Sequence, residues 1–380
     1  MQKDFHYYAT YCAAFLAGYS HNESCDIAKS AQFADECSAA VLDKLGAPAA
    51  AATTQMQSEL VDADTDIMGL QNITRIWASF HFLPKDLYAE KKWCSRRYLN
   101  KYRLICGPNG ALLKDTVELA KNRGLPAVGL AMHILADTWA HRYFVGTPSL
   151  ALNNTDKYFF EIFPDGTEKE IKFAHNPTKP DDLENSVYTS SIYQSNENSV
   201  MNLGHGRAGH LPDYSFCRYK YLPAWGDYKE IVKDNPSDYF NAFTQMIYAM
   251  KYLKGGDPVF MTDTYDKDAV KDYEDEIKEI LTTRQLNACE MWRAFGEKLS
   301  GQKIPDHSTE EQQREYMAAE KDKKQDTYLG RFFAAAINQK SMVTNRIFTS
   351  GSLLAGYSVT PKDGGLLLAV KKFFEKGETK

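Results

Sequence analysis

The sequence predicts a mainly α-helical protein, and three observations carry that reading. Apolar residues recur at three- and four-residue spacings through much of the chain, as one face of a helix requires. Gly and Pro mark the ends of several such stretches, as in "NRGLP" at 122–126. One segment, "FFEIFPDGTEKEIKF" at 159–173, reads instead as a short β-hairpin turning at Asp165-Gly166.

In order along the chain, 5–19 and 24–45 read as two helices joined by "YSHNES", with Asn22 or Ser24 as N-cap. Ala-rich 46–54 starts or extends a further helix, and another runs through "DADTDIMGLQNITRIWASFHFLP" to a stop at Pro84. "CGPNG" (106–110) is a turn, followed by a helix over 111–122. Gly124 ends that helix and Pro126 suits the first turn of the next, which carries "AVGLAMHILADTWAHRYFVG" (127–146). Residues 147–225, rich in Asn, Ser, Pro and Gly, form an irregular insertion containing the hairpin. Helices resume at about 237–254, 267–299 and 308–338, and the run "KDAVKDYEDEIKEI" reads as a solvated helix face. A single domain over 1–255 with a helical C-terminal extension over 256–380 fits this pattern.

Composition narrows the class. The chain has 380 residues, 43% hydrophobic and 25% charged, which suits a packed globular protein. Its 23 Tyr and 20 Phe serve core and wet pockets alike. A formal net charge of −5 gives no general attraction for nucleic acid, and no Lys/Arg stripe with stacking aromatics stands out. No run approaches the roughly 20 apolar residues of a membrane span. The first twenty residues lack a signal-peptide pattern, so the expectation is a protein made in the cytosol that stays there or leaves without a cleaved signal. Seven scattered cysteines without a CxxC pair indicate neither a disulfide framework nor a thiolate zinc site.

His133, Asp137 and His141 stand four apart, so on a helix they form one stripe, turned inward by Leu130, Ile134 and the neighbouring alanines. Two readings are open: a hydrogen-bonded His–Asp–His core network, or part of a metal site completed from elsewhere. His6 (beside Asp4), Asp35, His81, and the Gly-rich loop "LGHGRAGHLPD" with His205, His210 and Asp213 supply further donors in apolar or Gly-rich settings. His21, His175 and His307 sit in polar loops and read as solvent-exposed. Nitrogen and oxygen donors in this number, without thiolates, suit zinc or a similar metal at a hydrolytic site. No HExxH, GxSxG, Walker A or Rossmann pattern competes, and "GHGRAG" follows no obvious strand.

Taken in order, "MQKDFHYY", "AQFAD", "FHFLP", "HILADTWAHRYFVG" and "GHGRAGHLPD" resemble the zinc-dependent phospholipase C and single-strand-specific zinc nuclease superfamily. More closely they resemble a bacterial and fungal group of zinc metallophospholipases C that lack an ordinary signal peptide and include secreted virulence effectors. The resemblance covers about residues 1–220. It implies an all-α catalytic domain holding two or three zinc ions. One would sit on Asp35, His81, His133 and Asp137, and a second on His141, His205 and Asp213, with His210 competing for Asp213's place. A third would take His6 and Asp137, helped by Asp4 or the N-terminus. The step from Asp137 to His141 is shorter than in the older phospholipases, and Asp213 stands where they carry Glu.

The reaction implied is hydrolysis of a phosphodiester at a membrane surface, phosphatidylcholine or a related phospholipid giving diacylglycerol and phosphorylated headgroup. Asp35 and Asp137 would be the catalytic carboxylates, Asp35 as ligand or as the group orienting water. Arg142 and Arg207 would contact phosphate or brace ligands, and Tyr7, Phe82 and Trp139 would line an aromatic box or pack the core. Two alternatives stay open: a nuclease or nucleotide phosphoesterase on the same metals, and a non-catalytic protein with a structural metal.

Overall fold

The computed structural model describes residues 1–63, 67–174, 183–189, 197, 199–255 and 258–352. It is mainly helical, with one small antiparallel sheet. At its centre lies the helix Leu125–Ala140, in which every residue from Pro126 onward is buried. A helix that is apolar all round must be wrapped on every side. Here the helices His21–Phe33, Asn235–Leu253 and Tyr328–Thr349 do the wrapping. The closest crossing is at Gly129, where an added Cβ would lie 2.2 Å from the carbonyl oxygen of Ile27. Only glycine permits that approach, and Ser30 closes it by donating to the Pro126 carbonyl at 2.6 Å. The helix that leads to Asp35 is thereby drawn against the helix that carries His133 and Asp137.

The chain begins with a π-helical turn, Asp4–Ala9, that runs into an α-helix, Thr10–Leu16. Gly18 then reverses the chain at φ +89°. Ser20, rather than Asn22 or Ser24, caps the next helix, because it alone stands extended with its side chain accepting from Glu23 N while Glu23 returns the bond. The expected helix over 24–45 is two, His21–Phe33 and Ala39–Leu45, the second capped by Ser38. The Ala-rich stretch gives only a 3₁₀ turn, Ala49–Ala51, since Pro48 just before it is extended. The stretch 267–299 divides into a 3₁₀ turn, Asp268–Tyr273, and helices Glu274–Thr282 and Cys289–Ser300. The last expected helix likewise divides into Glu310–Ala318 and the longer Tyr328–Thr349.

The hairpin forms as read: β1 (Phe159–Ile162) pairs with β2 (Glu168–Glu170), with Phe160 opposite Glu170. Two strands too short to show alternation, β3 (Arg218–Tyr221) and β4 (Ile231–Asp234), extend it to the order β2-β1-β3-β4. Phe159, Tyr219, Tyr221 and Phe144 form a second, aromatic core on this sheet. It supports the loop of His205 and Asp213.

Trp292, Phe295 and Phe332 from beyond residue 255 share one hydrophobic cluster with Phe5, Phe33 and Met132. The expected boundary at 255 adjoins residues 256–257, which, like His175 and 353–380, lie outside the described residues. No described helix is long and apolar enough to cross a membrane.

Candidate metal centre

Asp137 is the hub. It is buried on the last turn of the central helix, and His133 one turn earlier has its Nε2 3.3 Å from Asp137 Oδ2. His141, read as the third member of the helical stripe, lies just past the helix end as its C-cap. His81, one residue beyond the helix Ile67–Phe80, brings Nδ1 to 3.1 Å of the same oxygen. His6, from the π-turn, brings Nε2 to 3.2 Å of Asp137 Oδ1 and stacks on His133 with ring centroids 4.0 Å apart. A π-turn suits this position, because its wider backbone re-aims one side chain without ending the helix. Asp35 stands slightly off, 3.8 Å from His81 Nδ1 and 4.0 Å from His133 Nε2.

A second group lies alongside. Asp213 Oδ1 is 3.3 Å from His141 Nε2 and 3.7 Å from His205 Nε2. Gly204, at φ +54°, puts the backbone against Phe82, whose ring an added Cβ would strike at 2.1 Å. Phe82 in turn stacks on His141, with centroids 4.7 Å apart. The amine of Met1 fills the space between the groups, 3.0 Å from Asp137 Oδ1, 3.1 Å from His141 Nε2 and 3.3 Å from Asp213 Oδ1.

The outward faces of three rings decide what the inward faces offer. His81 Nε2 lies 3.0 Å from the Thr53 carbonyl, His141 Nδ1 2.8 Å from the His81 carbonyl, and His205 Nδ1 2.7 Å from the Gly209 carbonyl. A carbonyl only accepts, so each of those nitrogens carries the ring's N–H. In a neutral ring the other nitrogen then turns a lone pair inward, where it needs a donor or a cation. The Met1 ammonium lies 3.1 Å from His141 Nε2 and His133 Nε2 lies 3.3 Å from His81 Nδ1, places that metal ions would take over. A metal-free hydrogen-bonded network would have to protonate these rings on both nitrogens or rely on Met1 and His133 as donors. His6, fully buried with neither ring nitrogen hydrogen-bonded, fits the same need. The donors fall into three sets, each compact enough for one ion: His6, His133 and Asp137; Asp35, His81 and His133; His141, His205 and Asp213.

Electrostatics agree for the carboxylates, His6 and His205. Burial lowers the His133 ring, but Asp137 and Asp35 outweigh it and raise it, so that ring favours its proton until a cation displaces it. Burial opposes ionisation of Asp137, but His141, the Met1 ammonium, His133 and His6 hold its carboxyl well below the usual range. Asp213 is held down likewise, its burial outweighed by His205 and the ammonium. Burial lowers the Met1 amine, yet Asp137, Asp213 and Asp35 raise it to about 11. Burial pushes His6 and His205 down to about 4, which keeps both neutral and fit to donate a lone pair near pH 7.

Every expected donor except Asp4 reaches the cluster. Asp4 Oδ1 and Oδ2 accept from Phe5 N and Ala288 N at 2.8 and 2.9 Å, so it ties the π-turn to the helix Cys289–Ser300 instead of facing the cluster. Between Asp213 and His210, Asp213 is the buried one; the His210 side chain is 60% exposed and braces Asp213 Oδ2 at 3.2 Å. Arg142 pairs with Asp238 at 2.7 Å, and Arg207 Nε donates to Asn202 at 2.6 Å. Tyr7 and Trp139 are core residues bonded to the Pro305 carbonyl and to Gln245, whereas Phe82 touches the cluster. His307 is not solvent-exposed as expected: its side chain is 6% accessible and lies 3.0 Å from Glu36. The carbonyls of Thr53, His81 and Gly209 escaped sequence reasoning because a backbone acceptor leaves no residue-type signal. No curated protein and no solved structure matches the chain. A family model matches residues 1–347, and the chain belongs to that family, DUF6765, a family of unknown function.

Proposed function

We propose that the protein is a zinc-dependent phosphodiester hydrolase whose substrate is a phospholipid, phosphatidylcholine or a relative, cleaved to diacylglycerol and phosphorylated headgroup. The observation that carries the proposal is the set of three rings whose N–H groups are spent on carbonyls, leaving lone pairs converging on carboxylates. The all-nitrogen-and-oxygen donor set favours zinc among the common ions. The phospholipid substrate rests on the motif resemblance.

Bound zinc would supply a water acidified towards a pKa of about 7 and positive charge for the phosphoryl oxygens. The chain's own residues divide the remaining work. His6, Asp35, His133, Asp137, His81, His141, His205 and Asp213 would hold the ions in place, Asp35 through one of its oxygens. Asp35 is the cluster's accessible carboxylate, 31% exposed against 9% or less for Asp137 and Asp213. Its position on the solvent side suits it to accept a hydrogen bond from the attacking water and to take up its proton.

Purified protein should contain zinc by mass spectrometry and release diacylglycerol from phosphatidylcholine vesicles, with chelation abolishing release. Intact hydrolysis in His133→Ala and Asp137→Ala would refute the proposal. Cleavage of single-stranded DNA without lipid hydrolysis would move the protein to the nuclease branch. A chain free of zinc and indifferent to chelators would make the cluster structural.

A further inference from the structure

Between the metal-side His81–Pro84 turn and Cys106 the chain makes a long excursion over the surface. Its second part, "KKWCSRRYLNKYR" (91–103), holds six cations and no carboxylate in a chain whose net charge is −5. This is the Lys/Arg concentration that whole-chain charge concealed. At its tip Trp93 is 102% exposed, its indole touching nothing, on a backbone held at φ +59°. A left-handed backbone is costly for a bulky residue, and a fully solvated indole forgoes the gain of burying its apolar area. Tyr88, on the same excursion, is 68% exposed.

Some of the charge is used locally. Lys91 pairs with Asp227, Lys101 with Glu197, and Arg103 with Glu90. Lys92 and Arg96 are exposed and pair with no carboxylate among the described residues. Arg97 is 74% exposed and reaches Glu197 only at 3.8 Å. Free cations therefore flank the free indole on both sides.

We propose that this tip is a docking surface for an anionic lipid bilayer, with Trp93 entering the headgroup region and Lys92, Arg96 and Arg97 meeting lipid phosphates and carboxylates. Exposed Trp beside Lys and Arg is the chemistry of an interfacial anchor. Single-stranded nucleic acid would also welcome cations, but it needs a row of open aromatic faces. Here Lys91 Nζ already lies over the rings of Tyr98 and Tyr102, 5.9 and 5.5 Å from their centroids, which leaves the indole without stacking partners. The excursion is pinned at its base by the bridges Pro84–Cys106 and Ile105–Val145. Pro84 follows His81 closely and Val145 follows His141 closely, so a docked tip tethers the metal centre to the bilayer. The proposal deepens the phospholipid reading and rests on it for its purpose, though not for its measurement.

The test is sedimentation of the full chain with vesicles of phosphatidylcholine alone and with about one-third phosphatidylserine. Native protein should bind the anionic vesicles and release in about 1 M salt, where the screening length is ~3 Å. The Lys92→Gln/Arg96→Gln/Arg97→Gln variant should lose affinity on the order of 100-fold, from about 1 kcal/mol per cation. Trp93→Ala should lose about tenfold. The vesicle-induced blue shift of tryptophan emission should vanish in Trp93→Phe. The triple variant and Trp93→Ala should hydrolyse short-chain monomeric phosphatidylcholine at the native rate while losing rate on vesicles. Undiminished vesicle binding by the triple variant, absence of binding by the native chain, or binding of single-stranded DNA that depends on the same residues would overturn the proposal. Native protein that sediments with vesicles yet hydrolyses no lipid would overturn the hydrolase reading and leave the docking surface standing.

Discussion

His141 Nδ1 lies 2.8 Å from the backbone carbonyl oxygen of His81, so one cluster histidine is oriented by the peptide group of another. That carbonyl survives any substitution of the His81 side chain. His81→Ala should therefore remove the set of Asp35, His81 and His133 while His141, His205 and Asp213 keep their geometry. His133 belongs to two of the three sets. The expected outcome by mass spectrometry is loss of one ion per chain in His81→Ala and of two in His133→Ala. Equal losses in both would mean that the sets are not separate sites.

Removing metal should destabilise the whole chain, because on the proposed reading the ligands would come from the π-turn of His6, the Asp35 turn, the His81 turn, the central helix and the loop after Gly204. A ligand that binds only the folded state at a thousand times its dissociation constant stabilises by about 4 kcal/mol. Chelation should lower the melting temperature accordingly, and zinc should restore it more fully than magnesium, which prefers an octahedral oxygen shell. Identical melting curves with and without chelator would contradict this.

Asp213 and His210 adjoin in one loop yet should behave differently. Asp213→Ala removes the carboxylate shared by His141, His205 and the Met1 amine, so its metal set should be lost and hydrolysis should fall at least about 1000-fold if the ion is catalytic. His210→Ala removes only an exposed brace on Asp213 Oδ2. It should keep its metal and lower affinity by about tenfold. Measuring both metal content and rate separates the two roles.

These contrasts show what sequence could and could not carry. His133, Asp137 and the central helix were legible because a buried, all-apolar helix makes polar residues conspicuous. The helix boundaries were less so: the break after Phe33 and the cap at Ser20 depend on local bonds that periodicity does not report. Asp4 looked equivalent to the N-terminus as a donor until two backbone N–H groups, one from a residue 284 positions away, were seen to claim it. Strands β3 and β4 are four residues each, too short for alternation to outweigh chance. The basic tip was hidden by an acidic chain average.

Gly129→Ala tests whether helix packing sets metal geometry. The new Cβ would meet the Ile27 carbonyl at 2.2 Å and Ser30 Cβ at 2.6 Å, and backbone cannot yield as a flexible side chain can. The helix His21–Phe33 must move off the central helix, taking Asp35 with it. A loss of about 1–3 kcal/mol in stability is expected. Metal should be retained least at the set containing Asp35. A Gly129→Ala protein with native stability and full metal content would show that the close crossing is incidental.

Lys340 gives a pH dependence away from the metal centre. Its ammonium donates to the Ala52 carbonyl at 3.1 Å, and burial pushes its pKa down to about 8. In the unfolded chain the group titrates near 10.4. Below about pH 8 both states hold the proton, and the folded state bears the full penalty of a buried charge. Between about 8 and 10.4 the unfolded chain binds a proton that the folded chain has released, so this residue's contribution makes stability rise with pH. Lys340→Met keeps the aliphatic stem and abolishes the titration. Its stability relative to the native chain should be greatest near pH 7 and should shrink steadily towards pH 10 in denaturant unfolding of chelated samples. A pH-independent difference between the two proteins would show that Lys340 keeps an ordinary affinity for its proton.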